Sequence, residues 1–158
     1  MSSDSESIWW SRPDADEMSA LASDSMIEHL GIRATNITDD SLAFSMPVDR
    51  RTVQPFGLLH GGASVALAET AASFAGHYCI DPGRFRCVGI EINANHVRSV
   101  TAGEVVATAA PIHLGKSTQV WSVRIEDESG RLVSICRVTM AVVPVAVASE
   151  SSAAGHDR

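Results

Sequence analysis

The sequence predicts an α+β domain in which a curved antiparallel β-sheet wraps around one long central α-helix. Three observations predict it. Residues 61–79 run without proline and are rich in small side chains, which is the length and composition of one long helix. After Asp81-Pro82-Gly83 the pattern switches to a period of two and reads as four strands joined by short turns. Such strands must be antiparallel neighbours, because a parallel connection needs a dozen residues or more. Two shorter strands precede the helix, so the helix is inserted after the second of them. With 158 residues, of which 45% are hydrophobic, the chain has enough apolar surface for a single core.

In chain order, residues 1–13 lack periodicity and end in Pro13, so they read as a flexible N-terminal arm whose Trp9 and Trp10 are candidates for docking. The domain spans residues 14–144. Residues 14–22 and 25–30 read as short helical turns, the second stopped by Gly31. Short strands follow at 33–38 and 42–47, separated by the turn residues Thr38-Asp39-Asp40-Ser41. Residues 54–57 form the loop ahead of the long helix, and Asp81-Pro82-Gly83 turns the chain after it. In the next strand Val88, Ile90, Ile92, Ala94 and His96 alternate with Gly89, Glu91, Asn93, Asn95 and Val97. Further strands lie at 104–114, 118–126 and 132–143, the last two joined through Asp127-Glu128-Ser129-Gly130. Residues 145–158, ending SESSAAGHDR, have the composition of a disordered tail.

Charge and motif content exclude several function classes. The formal net charge is −7 and no Lys/Arg run exceeds Arg50-Arg51, so no basic footprint for nucleic acid is present. The apolar run at 140–148 contains Pro144 and is about half of the ~20 residues a membrane helix needs. The start, MSSDSESIWW, is acidic where an export signal is basic, which predicts a cytoplasmic protein without a membrane partner. Cys79, Cys87 and Cys136 form no Cys-x-x-Cys pair and read as reduced, packed thiols. His29, His60, His77, His96, His113 and His156 show no metal-binding spacing, so no metal is expected. Nucleotide-binding glycine motifs are absent. The string His60-Gly61-Gly62 occurs in lipase oxyanion loops, but no Gly-x-Ser-x-Gly elbow accompanies it, which disfavours a serine hydrolase.

The remaining chemistry gathers in residues 54–73. At 100° per residue Leu67, Ala71, Phe74 and Tyr78 share one helix stripe, and Gly62, Val65, Glu69, Ser73 and Gly76 share the opposite one. The first is a core stripe; the second is a small-residue face around one carboxylate, suited to close approach. His60-Gly61-Gly62 stands at the helix start, where backbone N–H groups lack intrahelical partners and a developing oxyanion is favoured. Glu69 is the candidate catalytic carboxylate, and Ser73, one turn on, is within reach of it or of a water beside it. His60 is either a loop-capping residue or a site residue, Ser73 either a small filler or functional, and Gln54 on its own is an ordinary turn residue. Gly61 and Glu69 are separated by ~12 Å of helix rise, so one carbonyl cannot touch both within a single chain. Two helices packed antiparallel about a two-fold axis would bring them together, which predicts an active site made by two chains. A second cluster, His96 and Arg98 with Lys116 and Ser117, offers basic groups and a hydroxyl for a phosphate-bearing ligand or is merely solvated.

The segments PFGLLHGGASVALAET, VGIEINANHVRS, HLGKSTQVW and RLVSICRVTM resemble the hotdog-fold acyl-CoA thioesterases. The branch they resemble is that of the 1,4-dihydroxy-2-naphthoyl-CoA, 4-hydroxybenzoyl-CoA and phenylacetyl-CoA thioesterases, over residues 26–143. The resemblance implies that Glu69 is nucleophile or general base and that the Gly61 N–H binds the thioester oxygen. It implies that His60 and Gln54 line the reacting group and that Ser73 positions water. His96, Arg98, Lys116 and Ser117 fall where the family meets CoA, with one departure: Lys116 precedes Ser117, where the family pattern has serine before the basic residue. The implied substrate is an aromatic acyl-CoA, foremost 1,4-dihydroxy-2-naphthoyl-CoA of menaquinone biosynthesis, with CoA as part of the substrate and no separate cofactor. The implied assembly is a homodimer paired into a homotetramer. The alternatives are a broader aryl, phenylacetyl or aryl-carrier-protein thioesterase, a non-catalytic acyl-CoA-binding module and, more remotely, a hotdog dehydratase.

Overall fold

Side-chain caps delimit the two short helices as their sequences require. In the computed structural model, which describes residues 7–145, the Asp14 carboxylate accepts the Glu17 N–H at the start of α1 (Ala15–Ala22). Ser25 Oγ accepts the Ile27 N–H at the start of α2 (Met26–Leu30), and Gly31, at φ 71°, closes it in the left-handed region that glycine tolerates. Strands β1 (Arg33–Ile37) and β2 (Leu42–Pro47) lead to α3 (Gly61–Tyr78). Then follow β3 (Phe85–His96), β4 (Glu104–Leu114), β5 (Thr118–Asp127) and β6 (Leu132–Pro144). The six strands form one antiparallel sheet in the order β1-β2-β4-β5-β6-β3, and α3 packs against β2 through β6.

The core lies between α3 and the sheet. Leu67, Ala68, Ala71, Ala72 and Ala75 are wholly buried on the helix, as are Trp121, Val123 and Ile125 on β5. Phe74 is only half-buried, yet its ring stacks on Phe44 at 5.3 Å between centroids. Alanines on the helix let the sheet approach closely, and the bulk missing there comes from β5, chiefly from Trp121. Its indole N–H donates to buried Gln119 Oε1 at 3.0 Å, so the polar edge of the ring is satisfied.

Three expectations change. The arm is anchored over its described part: Trp9 is 9% exposed and donates from Nε1 to the Thr38 carbonyl at 2.7 Å, while the Trp10 N–H donates to the Tyr78 carbonyl at 2.8 Å. Residues 1–6, and residues 146–158 of the expected tail, lie outside the described residues. Gly76, expected on the face open to approach, is buried: a Cβ there would meet Gln119 Oε1 at 2.7 Å and Cys87 Sγ at 2.8 Å. Finally, β3 does not keep one alternation. Gly89 pairs with Met140 and Glu91 with Thr139, leaving Ile90 as the extra residue of a bulge. Cys87 before the bulge, and Ile92 and Ala94 after it, pack on the core, whereas Val88 and Ile90 are exposed.

Candidate active site

The site begins with a loop held from both sides. The Gln54 N–H donates to the Leu58 carbonyl, the Leu59 N–H to the Val100 carbonyl and the His60 N–H to the Thr52 carbonyl. Gly57, at φ 79°, makes the turn, and Gln54 Oε1 accepts the Phe56 N–H. The Gln54 side chain thus braces its own turn through its oxygen, which leaves its amide N–H groups as the donors it can offer a ligand.

At the start of α3 the first-turn donors are almost all used. The Gly62 N–H donates to His60 Nδ1 at 2.8 Å, and the Ala63 and Ser64 N–H groups both reach the His60 carbonyl. Among the described residues, the Gly61 N–H is the first-turn donor left without a partner. It stands at the positive end of the helix, where partial negative charge is stabilised. Because His60 accepts at Nδ1, its ring proton sits at Nε2, a donor on the exposed side.

Strand β3 runs past α3 in the opposite sense and supplies the second wall. A Cβ on Gly61 would meet His96 Nε2 at 2.9 Å, so the imidazole occupies the space beside the glycine. Gln54, Gly61, Ser64, His96 and Arg98 line one cavity of about 420 Å³, with Leu58 and Leu59 among its apolar residues. Arg98 is held there by its Nε–H donating to the Leu132 carbonyl at 3.2 Å. Glu69 lies two turns along α3, half-buried, with its carboxylate against Gly89 of β3. Ser73 follows one turn later, also half-buried.

The structure therefore joins Gln54, Gly61, His96 and Arg98 in one cavity and keeps Glu69 outside it, as the helix rise demands. It does not join Lys116 and Ser117 to His96 and Arg98 within one chain. The β4–β5 turn adjoins Thr118, which aligns through Ala141 with Val88, whereas His96 aligns with Ser134 at the other end of the sheet. The cysteines offer no competing nucleophile at neutral pH. Burial pushes the Cys79 thiol up to about 12 and the Cys87 thiol up to about 11, and it raises Cys136 as well. Among the described residues no group of three His, Cys, Asp or Glu side chains is arranged to hold a metal ion, and no helix is long and apolar enough to cross a membrane.

Sequence reasoning missed Gly89. Its signal was present: an isolated glycine inside an alternating strand marks a bulge or a close approach.

A six-stranded antiparallel sheet wrapped on one long helix is the hotdog fold. The comparisons agree: residues 56–134 match the family model of the thioesterase superfamily, and the chain belongs to that family. It is 48% identical over 136 residues to the 1,4-dihydroxy-2-naphthoyl-CoA hydrolase of Escherichia coli, covering 86% of this chain and 99% of that one. Among solved structures, a Pseudomonas aeruginosa thioesterase superposes with a TM-score of 0.87 at 49% identity, covering 88% of this chain and 100% of that one. A Haemophilus influenzae thioesterase gives 0.86 at 43%, covering 90% and 99%.

Proposed function

We propose that the protein hydrolyses an aromatic acyl-CoA to the free acid and CoA, with 1,4-dihydroxy-2-naphthoyl-CoA of menaquinone biosynthesis as its substrate in the cytoplasm. The observation that carries the reading is the unpartnered N–H of Gly61, a residue that lines a cavity together with Gln54 and His96. The thioester oxygen accepts from that N–H, which strengthens its hold as negative charge develops in the transition state. Gln54 and the Nε2–H of His60 are further donors around the reacting group. Arg98 and His96 at the cavity, with Lys116 and Ser117, receive the polar and phosphate parts of CoA. CoA enters as part of the substrate, and the reaction calls for no separate cofactor.

Glu69 acts across a dimer. Glu69 of the partner subunit attacks the thioester carbonyl or deprotonates the water that does, and Ser73 positions that water. In either route the carbon–sulfur bond breaks, the sulfur leaves as CoA thiol and one water is consumed. Two features support the pairing: the ~12 Å rise between Gly61 and Glu69, and the outer edge of β3, twelve residues long, which no strand among the described residues pairs with. That edge carries Ile90 at 62% exposure and Val88 at 45%, the kind of surface a second chain must cover. Pairing of dimers into a tetramer completes the proposed assembly.

The test is steady-state release of thiol from 1,4-dihydroxy-2-naphthoyl-CoA, benzoyl-CoA, phenylacetyl-CoA and short aliphatic acyl-CoAs. A marked preference for the bicyclic hydroxyaryl group supports the reading, and similar turnover of several aryl groups replaces it with a general aryl thioesterase. Binding without turnover of any of them reduces the protein to an acyl-CoA-binding module. In the same assay Glu69→Gln loses at least 100-fold in kcat with its fold intact, and full activity in that variant removes Glu69 from the mechanism.

A further inference from the structure

We propose that Gly89 is the positioning residue for Glu69: the side chain missing at the β3 bulge leaves the slot in which the carboxylate rests. The inference builds on the reading of Glu69 as the reacting carboxylate. A Cβ built on Gly89 would collide with Glu69 Oε1, and its next neighbour beyond that carboxylate would be Met140 Sδ at 3.8 Å. Nothing in the backbone asks for glycine here. Gly31, Gly57, Gly103 and Gly130 adopt positive φ, but Gly89 does not, so an alanine could follow the same chain path. Glycine is also a poor strand residue, lacking a side chain to pack on its neighbours. What requires its absence of a Cβ is the carboxylate.

The bulge explains why the slot sits at this point. Along β3, Cys87 lies against Gly76, Gly89 against Glu69 and His96 against Gly61. An unbroken alternation from Cys87 and Gly89 would continue inward with Glu91, Asn93 and Asn95. The extra residue, Ile90, turns that sequence over and brings Ile92, Ala94 and His96 inward instead. One irregularity thus sets the Glu69 slot on one side and the imidazole beside Gly61 on the other. The atom that a Gly89 side chain would strike is the far end of a flexible chain. A substitution would displace the carboxylate and leave the backbone where it is.

The experiment compares wild type, Gly89→Ala, Glu69→Gln and the double variant, using the acyl-CoA turned over fastest by wild type. Gly89→Ala is expected to lose on the order of 100-fold in kcat, the scale of an ångström-sized misplacement, with KM and the thermal midpoint unchanged. Added to Glu69→Gln it is expected to cost nothing more, since the group it displaces no longer reacts. Wild-type kcat in Gly89→Ala beside an inactive Glu69→Gln overturns the slot and leaves the role of Glu69 standing. A further loss in the double variant also overturns it, because Gly89 would then act on some other group. Full activity in Glu69→Gln removes the premise instead. Should Gly89→Ala melt early, Glu69→Ala must restore its midpoint by emptying the slot; a midpoint that stays low overturns the proposal.

Discussion

Two ends of the α3–β3 contact use the same device to opposite purposes. At the closed end Gly76 lies under Gln119 and Cys87, and the lack of a Cβ admits a dense polar knot. Gln119 accepts from the Trp121 indole and the Cys87 thiol and donates to the Gly76 carbonyl, and among the described residues no buried side-chain nitrogen or oxygen lacks a partner. At the open end Gly61 and Gly89 admit an imidazole and a carboxylate, and the Gly61 N–H is left unused. A missing side chain stabilises where its space is filled by satisfied groups, and it serves chemistry where its space holds a group with nothing yet to react with.

The contrast can be broken most forcefully at Trp121. Trp121→Ala removes the largest fully buried side chain and the donor to Gln119, and should cost about 3–5 kcal/mol in urea unfolding. A loss under 1 kcal/mol would mean the closed end is not the stability centre. Gly76→Ala comes next. Overpacking against Gln119 and Cys87, about 1–3 kcal/mol, outweighs the gain of about 1 kcal/mol in helix propensity, so the midpoint falls while kcat per folded molecule holds. Gly89→Ala is its mirror image, and the two variants exchanging their effects would dissolve the distinction between the ends.

The smallest expected effect concerns the thiols. Cys79 and Cys87, held as neutral thiols up to about 12 and about 11, should be alkylated by iodoacetamide at pH 8 far more slowly in the folded chain than in urea. Their folded values lie above the ordinary 9.0, so the stability they confer is complete below about pH 9 and is lost as pH rises toward 11 and 12. The thermal midpoint should therefore fall over that window, and fall less in Cys87→Ser.

Most of the fold was legible because each element carries its own marker. Asp14 and Ser25 announce helix starts, Gly31 a helix stop, and the proline-free run from Gly61 the long helix. The candidate residues His60, Gly61 and Glu69 were legible for the same reason, since they sit at a helix start or on its flank, whereas Gln54, an ordinary turn residue by its local pattern, stood out only through the family resemblance. What escaped depends on partners far away in sequence. The run Val88-Gly89-Ile90-Glu91-Ile92 reads as unbroken alternation, and only its register against Met140 and Thr139 reveals the bulge. The separation of Lys116 and Ser117 from His96 likewise follows from the pairing of β5 and β3 with β6, which no local pattern encodes. Trp9 was legible as a docking candidate, but not the place it docks, because its acceptor, the Thr38 carbonyl, lies on a turn 29 residues away.

That anchored arm gives the molecule a built-in optical reporter. The chain has three tryptophans in three environments: Trp10 at 64% exposure, Trp9 docked on the turn after β1, and Trp121 sealed in the core. Indole emission moves to longer wavelength on contact with water, so release of the arm would redden the light from Trp9 while Trp121 stayed blue. Detachment of residues 7–13 and melting of the core would then appear as two separable colour changes in one unlabelled sample.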